Sequence, residues 1–356
     1  MTTGTGQSPT ALAYNPALDG LRAIAVLLVV GFHAKVPGFR GGYMGVDVFF
    51  ALSGYLITTI LLAELERTGA VGWRTFARNR AIRLLPPLVL LIVGIVLLGP
   101  VFWPQANLPA EALLTGLYLS SYTFPAFGQP DILQHSWSLA VEVQFYLLWP
   151  FVVIWLARME RGQAIRTLLL LFAIATLWRF HVYLSSWEWT PAYYRSDVRL
   201  SGLIAGSLVA FAAPLLTPRI VATIGAASAA ILLAMLADTG WKLPHGVFKQ
   251  PLLDIACAGL VASLAVAGSS QLARALSFRP LVAVGLVSYG IYLFHYPVVR
   301  AFPKEADPLV VGATATVLSI AIAALSYRLL ETPVRRLKRK RPAADAAGRT
   351  LTETAV

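Results

Sequence analysis

The chain has 356 residues, of which 57% are hydrophobic and 13% are charged. Soluble domains carry about 25% charged residues, so this composition excludes a soluble globular domain and predicts a polytopic membrane protein. The formal net charge of +12 does not indicate nucleic-acid binding, because the basic residues follow the predicted membrane topology.

Apolar runs recur along the whole chain, and charge decides which of them cross the membrane, because cytoplasmic loops are enriched in Arg and Lys. The arginine-rich stretch 64–83 is predicted to be cytoplasmic. The run 112–124 would then begin and end outside. It is also short for the about 20 residues that a span needs, so we predict a re-entrant or interfacial helix there. The runs are 18–34, 44–63, 84–102, 112–124, 138–157, 167–184, 200–213, 220–237, 251–268, 281–299 and 308–329.

The remaining runs predict an all-α, polytopic membrane bundle of about ten transmembrane helices with both termini cytoplasmic. Most Lys and Arg residues fall in the internal segments of this topology, which supports the orientation. We predict a cytoplasmic N-terminal segment over 1–17, a membrane domain over 18–336, and a basic and then disordered cytoplasmic tail over 337–356.

The first run, LDGLRAIAVLLVVGFHA, carries Asp19, Arg22 and His33 in an otherwise apolar segment. A charged side chain near the middle of a span costs about 2.5–3.5 kcal/mol on insertion scales, so such residues are seldom without a role. Arg22 and His33 are 11 positions apart, which is about three helical turns plus about 20°. Both side chains therefore share one face, and we expect that face to look into the protein instead of into lipid.

The predicted topology sorts the ionisable residues of the spans into two layers. Imidazoles and carboxylates in the outer layer suit proton transfer, whereas arginines in the inner layer suit a phosphorylated ligand from the cytosol. Together the layers predict a group that is passed through the bundle. The outer layer consists of His33, Asp47, Glu142, Arg179, His181, Asp254 and His295. The inner layer consists of Arg22, the arginines of 78–83, and Glu331 with the basic tail.

His33 is the strongest catalytic candidate, as a general base or as an imidazole that carries an acyl group. The alternative is an interfacial histidine that reaches water. Glu142 either orients His33 or the acceptor, or pairs with an arginine for assembly. Asp47 is as well placed to cap the second span as to act in catalysis. His135 lies in a loop where solvated polar residues are expected, and His295 is either catalytic or a hydrogen-bonded core histidine.

Arg80 and Arg83 lie at positions i and i+3 just before a span, with Arg78 nearby, and guanidinium groups on one helical face form a phosphate clamp. The alternative is that these arginines only mark the cytoplasmic side. No metal site is predicted, because the histidines lie at no ligand spacing and Cys257 is the single cysteine. The sequence has no nucleotide-binding loop, so no permanently bound cofactor is predicted.

Six segments, in the family's order, resemble the integral-membrane acyltransferase-3 family, whose members O-acylate sugars, glycolipids and some antibiotics. The resemblance extends from Leu18 to about Arg336. The segments are LDGLRAIAVLLVVGFH, GVDVFFALSGYLI, RAIRLLPP, SWSLAVEVQFYLLWP, SYGIYLFHYPV and LLETPVRR.

The resemblance implies roles for individual residues. Arg22 and His33 match the family's Arg and His separated by ten residues, Arg80 and Arg83 match its paired cytoplasmic arginines, and Glu142 matches its glutamate. The implied donor is acetyl-CoA or another short acyl-CoA. Its phosphates would bind at Arg80 and Arg83, and its thioester would reach His33.

The resemblance further implies a multi-pass protein of the bacterial inner (plasma) membrane. It would transfer an acyl group, expected to be acetyl, from cytosolic acyl-CoA to a hydroxyl of a cell-envelope glycan or glycolipid, such as a polysaccharide or lipopolysaccharide, on the outer side. Two alternatives stay open: acylation of a small natural product such as a macrolide, and a non-enzymatic exporter of a lipid-linked glycan. The residues expected to support the substrate or the site are Asp19, Asp47, Arg179 and His295.

Overall fold

The computed structural model describes residues 14–237, 243–268 and 270–333, without the side chains of 243–246. Its regular elements within these ranges are all helical, as the sequence predicts. The helices are α1 Pro16–His33, α2 Gly45–Thr68, α3 Trp73–Phe102, α4 Leu108–Gly116, α5 Ser120–Phe127, α6 Trp137–Leu156, α7 Arg161–Ser186, α8 Trp189–Tyr194, α9 Ser196–Ala212, α10 Pro218–Ala237, α11 Leu243–Val266, α12 Gln271–Leu276, α13 Arg279–Leu286, α14 Ser288–Arg300 and α15 Pro308–Ser326.

Nine helical segments of the described ranges are long and apolar enough to cross a membrane, and the bent pair α13 and α14 makes a tenth if it is one span. This confirms the predicted all-α bundle of about ten transmembrane helices. The first helix begins at Pro16, two residues before the predicted domain boundary. The predicted boundary at 336 and the tail 337–356 lie outside the described residues, as do residues 1–13.

Two predicted runs differ from the helices that form. The run 112–124 becomes two short helices, α4 of 9 residues and α5 of 8, instead of one. Tyr118 lies between them with a φ of 55°, a left-handed conformation that does not continue a right-handed helix. Neither helix is a candidate span. The run 281–299 is broken at Val287, where α13 and α14 meet at 70°.

Two helices that carry buried ionisable residues, α1 and α11, lie at the centre of the bundle. In α1 and α11, 61% and 67% of the span is buried inside the protein, against 28% in α3 and 22% in α10. The backbones of α2 and α9 are in contact. A Cβ on Gly54 would overlap the carbonyl oxygen of Leu203, and one on Gly206 would overlap that of Ala51. Such close approach is typical of small residues in membrane helices.

Candidate active site

Within the described part of the chain, α1 lines two cavities inside the bundle. The inner cavity has a volume of about 190 Å³ and includes Arg22 in its lining. The outer cavity has a volume of about 280 Å³ and includes His33. This placement agrees with the prediction that the two side chains share a face directed into the protein.

The inner cavity brings three guanidinium groups together. Arg22 of α1 lines it, with Arg80 and Arg83 from the third turn of α3. The guanidinium of Arg80 also lies 5.8 Å from the centre of the Phe76 ring, one turn earlier. Three cationic groups that line one cavity can bind the phosphates of a donor.

Arg78 does not belong to this cluster, which corrects the prediction that it helps to bind the donor. It is exposed, and it is absent from the described residues that line the inner cavity. Two positions along an α-helix correspond to about 200° of rotation, so Arg78 and Arg80 project from opposite sides of α3.

Asp19 holds Arg22 in place along the cavity wall. The Arg22 Nη1 atom donates to Asp19 Oδ1 over 2.9 Å. The hydroxyl of Tyr14 donates to the other carboxylate oxygen of Asp19 over 2.8 Å. The carboxylate is buried and lies three residues before its arginine on the same helix. The geometry fits the supporting role predicted for Asp19.

Glu142 lies on the inner cavity, not beside His33. Its Oε1 atom accepts a hydrogen bond from the Ser53 hydroxyl over 2.9 Å, and its Oε2 atom accepts one from the Tyr146 hydroxyl over 3.0 Å. All three residues line the inner cavity. Glu142 therefore does not orient the His33 imidazole, because its side chain projects from α6 into the inner cavity. This corrects one of the two roles considered from the sequence.

His295 orients His33. The His33 Nδ1 and His295 Nε2 atoms are 3.0 Å apart, and the edge of the Tyr296 ring packs against the His33 ring with the centroids 4.8 Å apart. His295 is fully buried, whereas His33 is only partly buried. The bend between α13 and α14 brings α14, and with it His295, against α1.

One backbone carbonyl fixes the tautomers of this pair. The His295 Nδ1 atom lies 2.7 Å from the carbonyl oxygen of Tyr292. A carbonyl can only accept, so Nδ1 carries the proton and, in the neutral ring, Nε2 is the acceptor. His33 must then donate from Nδ1, which leaves its Nε2 atom unprotonated. An imidazole in this state is ready to take a proton from a hydroxyl.

His135 belongs to the same cluster, and the expectation that it is a solvated loop residue is wrong. It is 1% exposed, and its ring lies 5.4 Å from that of His295 and 5.0 Å from that of Tyr296. Its Nε2 atom donates to the carbonyl oxygen of Leu293 over 3.0 Å. This loop is buried because it packs under α14, a contact that the local sequence does not encode.

Glu111 of α4 holds the segment that leads to His135. Its carboxylate accepts three backbone N–H groups, from Asp131 at 2.6 Å, Ile132 at 3.1 Å and Leu133 at 2.8 Å. Burial raises the pKa of the Glu111 carboxyl, and the three N–H donors oppose that rise. The short helix predicted as re-entrant or interfacial thus serves to position the loop before α6.

Four charged side chains are buried beside the outer cavity as two pairs. Arg199 Nη2 donates to Asp47 Oδ1, and Arg179 Nη1 donates to Asp254 Oδ2 at 3.5 Å. The Gln250 amide bridges the pairs, donating to Asp47 over 2.7 Å and to Asp254 over 3.1 Å. Buried charges need such partners. Asp47 and Arg179 are therefore placed to support the cavity wall, and Arg199 is a residue that sequence reasoning missed.

The two cavities meet at one pair of side chains. Val46 of α2 and Tyr292 of α14 line both cavities, and each is 5% exposed. The Tyr292 hydroxyl donates to the carbonyl oxygen of His135 over 2.9 Å and lies 2.7 Å from the Ser138 hydroxyl oxygen. These bonds fix the ring in place, so Val46 and Tyr292 form a thin wall between the arginines and the histidines.

Within the described part of the chain, no group of three or more His, Cys, Asp or Glu side chains is arranged to hold a metal ion. His33 and His295 hydrogen-bond to each other, and His135 and His295 each hydrogen-bond to a backbone carbonyl. Their arrangement suits proton transfer.

Comparison with known proteins places this geometry in context. A family model described as an acyltransferase domain (Acyl_transf_3) matches residues 15–328. The peptidoglycan O-acetyltransferase OatA of Listeria monocytogenes is 32% identical over 348 residues, which cover 91% of this chain and 56% of OatA. The O-acetyltransferase OatA of Staphylococcus aureus is 32% identical over 350 residues, covering 91% of this chain and 57% of that protein.

A third similar protein is the putative peptidoglycan O-acetyltransferase YrhL of Bacillus subtilis, 33% identical over 349 residues, which cover 90% of this chain and 55% of YrhL. The chain spans about half the length of the curated relatives it matches. No solved structure matches it.

Proposed function

Because this chain belongs to the acyltransferase-3 family, we propose that it is a membrane O-acyltransferase that moves a short acyl group from acyl-CoA to a hydroxyl of a cell-envelope glycan. The names of its relatives, peptidoglycan O-acetyltransferases, support an acetyl group and a glycan acceptor. The observation that carries the proposal is the pair of adjoining cavities, one with guanidinium groups and one with an oriented imidazole.

The inner cavity is the donor site. Arg22, Arg80 and Arg83 line it, and guanidinium groups bind phosphate oxygens through paired, charge-assisted hydrogen bonds. The arginine-rich start of α3 faces the cytosol by the positive-inside rule, and acyl-CoA is present there. The phosphates of CoA bind at these arginines, and the pantetheine arm extends toward the wall formed by Val46 and Tyr292.

The outer cavity is the acceptor site, and His33 is its general base. Its Nε2 atom takes the proton of the acceptor hydroxyl while the oxygen attacks the thioester carbonyl. The new C–O bond forms, the C–S bond breaks, and the proton passes to the leaving CoA sulfur. His295 accepts from His33 Nδ1 over 3.0 Å and so keeps Nε2 unprotonated before each turnover.

The acyl group crosses the molecule at the wall. Val46 and Tyr292 are the side chains common to both cavities, so the thioester must reach the outer cavity beside them. The other end of the CoA molecule stays with the arginines. In this arrangement only the acyl carbon needs to enter the outer cavity, and the polar nucleotide remains on the cytosolic side.

Acyl-CoA turnover by a His33→Ala variant tests the proposal. The protein in lipid nanodiscs is given acetyl-CoA and methyl glycosides of N-acetylated sugars, and release of the CoA thiol and formation of the O-acetyl ester are measured. We expect a loss of about 10²–10⁴-fold in rate, the usual contribution of general-base catalysis. His181→Ala is the matched control, because His181 is exposed and stacks on Trp178.

Full turnover by His33→Ala would remove this residue from the mechanism. Absence of thiol release in the wild-type protein would favour an exporter instead of an enzyme. Release of thiol with a macrolide but with no sugar would assign the acceptor to small natural products.

A further inference from the structure

The outer cavity contains a cation that no described residue neutralises. Arg179 and Arg199 line the cavity, but each is paired with an aspartate beneath the surface. Arg40 also lines it, is exposed, and has no hydrogen bond or ion pair with any described residue. No carboxylate is present among the described residues of the cavity lining. The cavity therefore presents a net positive charge at the position of Arg40.

A shelf of aromatic rings forms another part of the same cavity. It consists of Trp137, Trp189, Tyr193 and Tyr194, all of which line the cavity. Trp137 lies 5.3 Å from Tyr193 and 5.2 Å from Tyr194 between ring centroids, and Trp189 lies 5.8 Å and 5.6 Å from the same two rings. The rings are tilted by 48–89° to one another, and the Arg199 guanidinium lies over Trp137 and Tyr193, so the shelf is stepped and a sugar packs against one ring face of it. Flat, rigid aromatic surfaces with polar edges pack against the C–H face of a sugar ring.

These observations together define a ligand. We propose that the outer cavity is a subsite for a sugar that carries an anionic substituent, a carboxylate or a phosphate, whose charge is bound by Arg40. The sugar ring packs on the aromatic shelf, and one of its hydroxyl groups faces His33. The inference rests on the proposed function, because it names the acceptor that the same site takes.

The charge of the cavity favours an anionic sugar over a neutral one. A guanidinium at the mouth of a largely apolar cavity attracts anions toward it and repels cations, and it binds a carboxylate or phosphate with two N–H groups. When a neutral sugar binds, the N–H groups of this guanidinium hydrogen-bond only to water. A charge-assisted hydrogen bond makes the anionic ligand bind about 10-fold or more tightly than its uncharged match.

Two matched pairs of probes test the inference and separate the sources of charge. The carboxylate pair is the methyl glycoside of N-acetylmuramic acid and its carboxamide. The phosphate pair is N-acetylglucosamine 1-phosphate and methyl N-acetylglucosaminide. The full chain in nanodiscs is titrated with each by calorimetry, and KM for each is measured with acetyl-CoA as donor.

We expect at least one anionic probe to bind about 10-fold or more tightly than its uncharged partner at low salt, with the difference shrinking as salt is added. Arg40→Gln is expected to abolish the difference. Lys35→Gln is the control, because Lys35 is an exposed cation of the same loop that lies outside the described lining of the cavity. This control is expected to keep the difference.

Equal affinities within both pairs, or a difference that survives Arg40→Gln, would overturn the inference. The calorimetric and kinetic readouts distinguish this failure from that of the proposed function. Anion-selective binding without thiol release would contradict the acyltransferase and keep the subsite. Thiol release with equal use of charged and uncharged sugars would keep the enzyme and contradict the subsite.

Discussion

Replacing His295 tests whether it sets the tautomer of the catalytic base. His295→Ala removes the acceptor that lies 3.0 Å from His33 Nδ1. The two neutral tautomers of His33 then lose their bias, and the ring loses one hydrogen bond with a net value of about 0.5–1.5 kcal/mol. That free energy corresponds to a loss of about 2- to 13-fold in kcat, far less than the about 10²–10⁴-fold expected when the base itself is removed.

The KM for acetyl-CoA is expected to stay near the wild-type value, because His295 is not among the described residues of the inner cavity. His295→Gln provides a matched rescue. Its side-chain oxygen reaches the position of the imidazole Nε2 atom and accepts from His33 Nδ1, so kcat is expected to recover in part. The assay is stopped-flow detection of the CoA thiol in nanodiscs, with thermal unfolding recorded for every variant.

A double-mutant cycle completes the test. If His295 acts only through His33, then His33→Ala combined with His295→Ala is no slower than His33→Ala alone, because coupled residues are non-additive. Losses that simply add, or a His295→Ala variant with wild-type kcat, would refute the tautomer argument.

Two further predictions concern the donor path. Charge reversal at Arg80 and Arg83 together is expected to raise KM for acetyl-CoA about 10-fold or more, since hydrogen bonds to charged groups contribute about 1.5–3 kcal/mol each. Arg78→Glu, on the opposite side of α3, is the control, and an unchanged KM in the double variant would contradict the clamp. Val46→Ala is expected to shift preference from acetyl-CoA toward butyryl-CoA, because a smaller side chain opens the wall between the cavities. Val48→Ala, buried in the same helix, is its control, and equal chain-length profiles would contradict the crossing point.

The helical bundle was predictable because it depends on composition. Long apolar runs and the placement of Arg and Lys are properties of the sequence itself, and they predict the helical bundle without reference to packing. The shared face of Arg22 and His33 was predictable for a similar reason, since one helix fixes their relative rotation. The same rotation argument, applied at Arg78, would have separated it from Arg80 in advance.

The composition of the histidine cluster was not predictable, because it depends on contacts between helices that are distant in sequence. His33 and His295 are 262 positions apart, and they meet only because the run 281–299 is bent at Val287. The sequence does not mark this bend, because the residue at the break, Val287, is neither a proline nor a charged residue. His135 gave a weaker signal. His135, Ser136 and Ser138 carry polar groups at the start of an apolar run, and such groups must be hydrogen-bonded if the segment is buried.

The depth predicted for Glu142 from its position in the sequence paired it with His33, which is not its partner in the structure. Counting residues from the start of its span places it in the outer layer with His33. In the structure it bonds to Ser53 and Tyr146 and lines the inner cavity. The span begins at Gln134, in the 3-10 turn directly before α6, so Glu142 lies about two turns into it instead of the one turn that the sequence predicted.

Transfer of a labelled acetyl group from one side of a membrane to the other tests the central claim most directly. The chain is reconstituted into proteoliposomes of one orientation, with acetyl-labelled CoA only on the Arg80 and Arg83 side and a methyl glycoside acceptor only on the His33 side. We predict labelled O-acetyl ester on the acceptor side, free CoA thiol on the donor side, and neither with His33→Ala. Ester formed on the donor side, or intact labelled CoA crossing to the acceptor side, would contradict transfer through the two adjoining cavities.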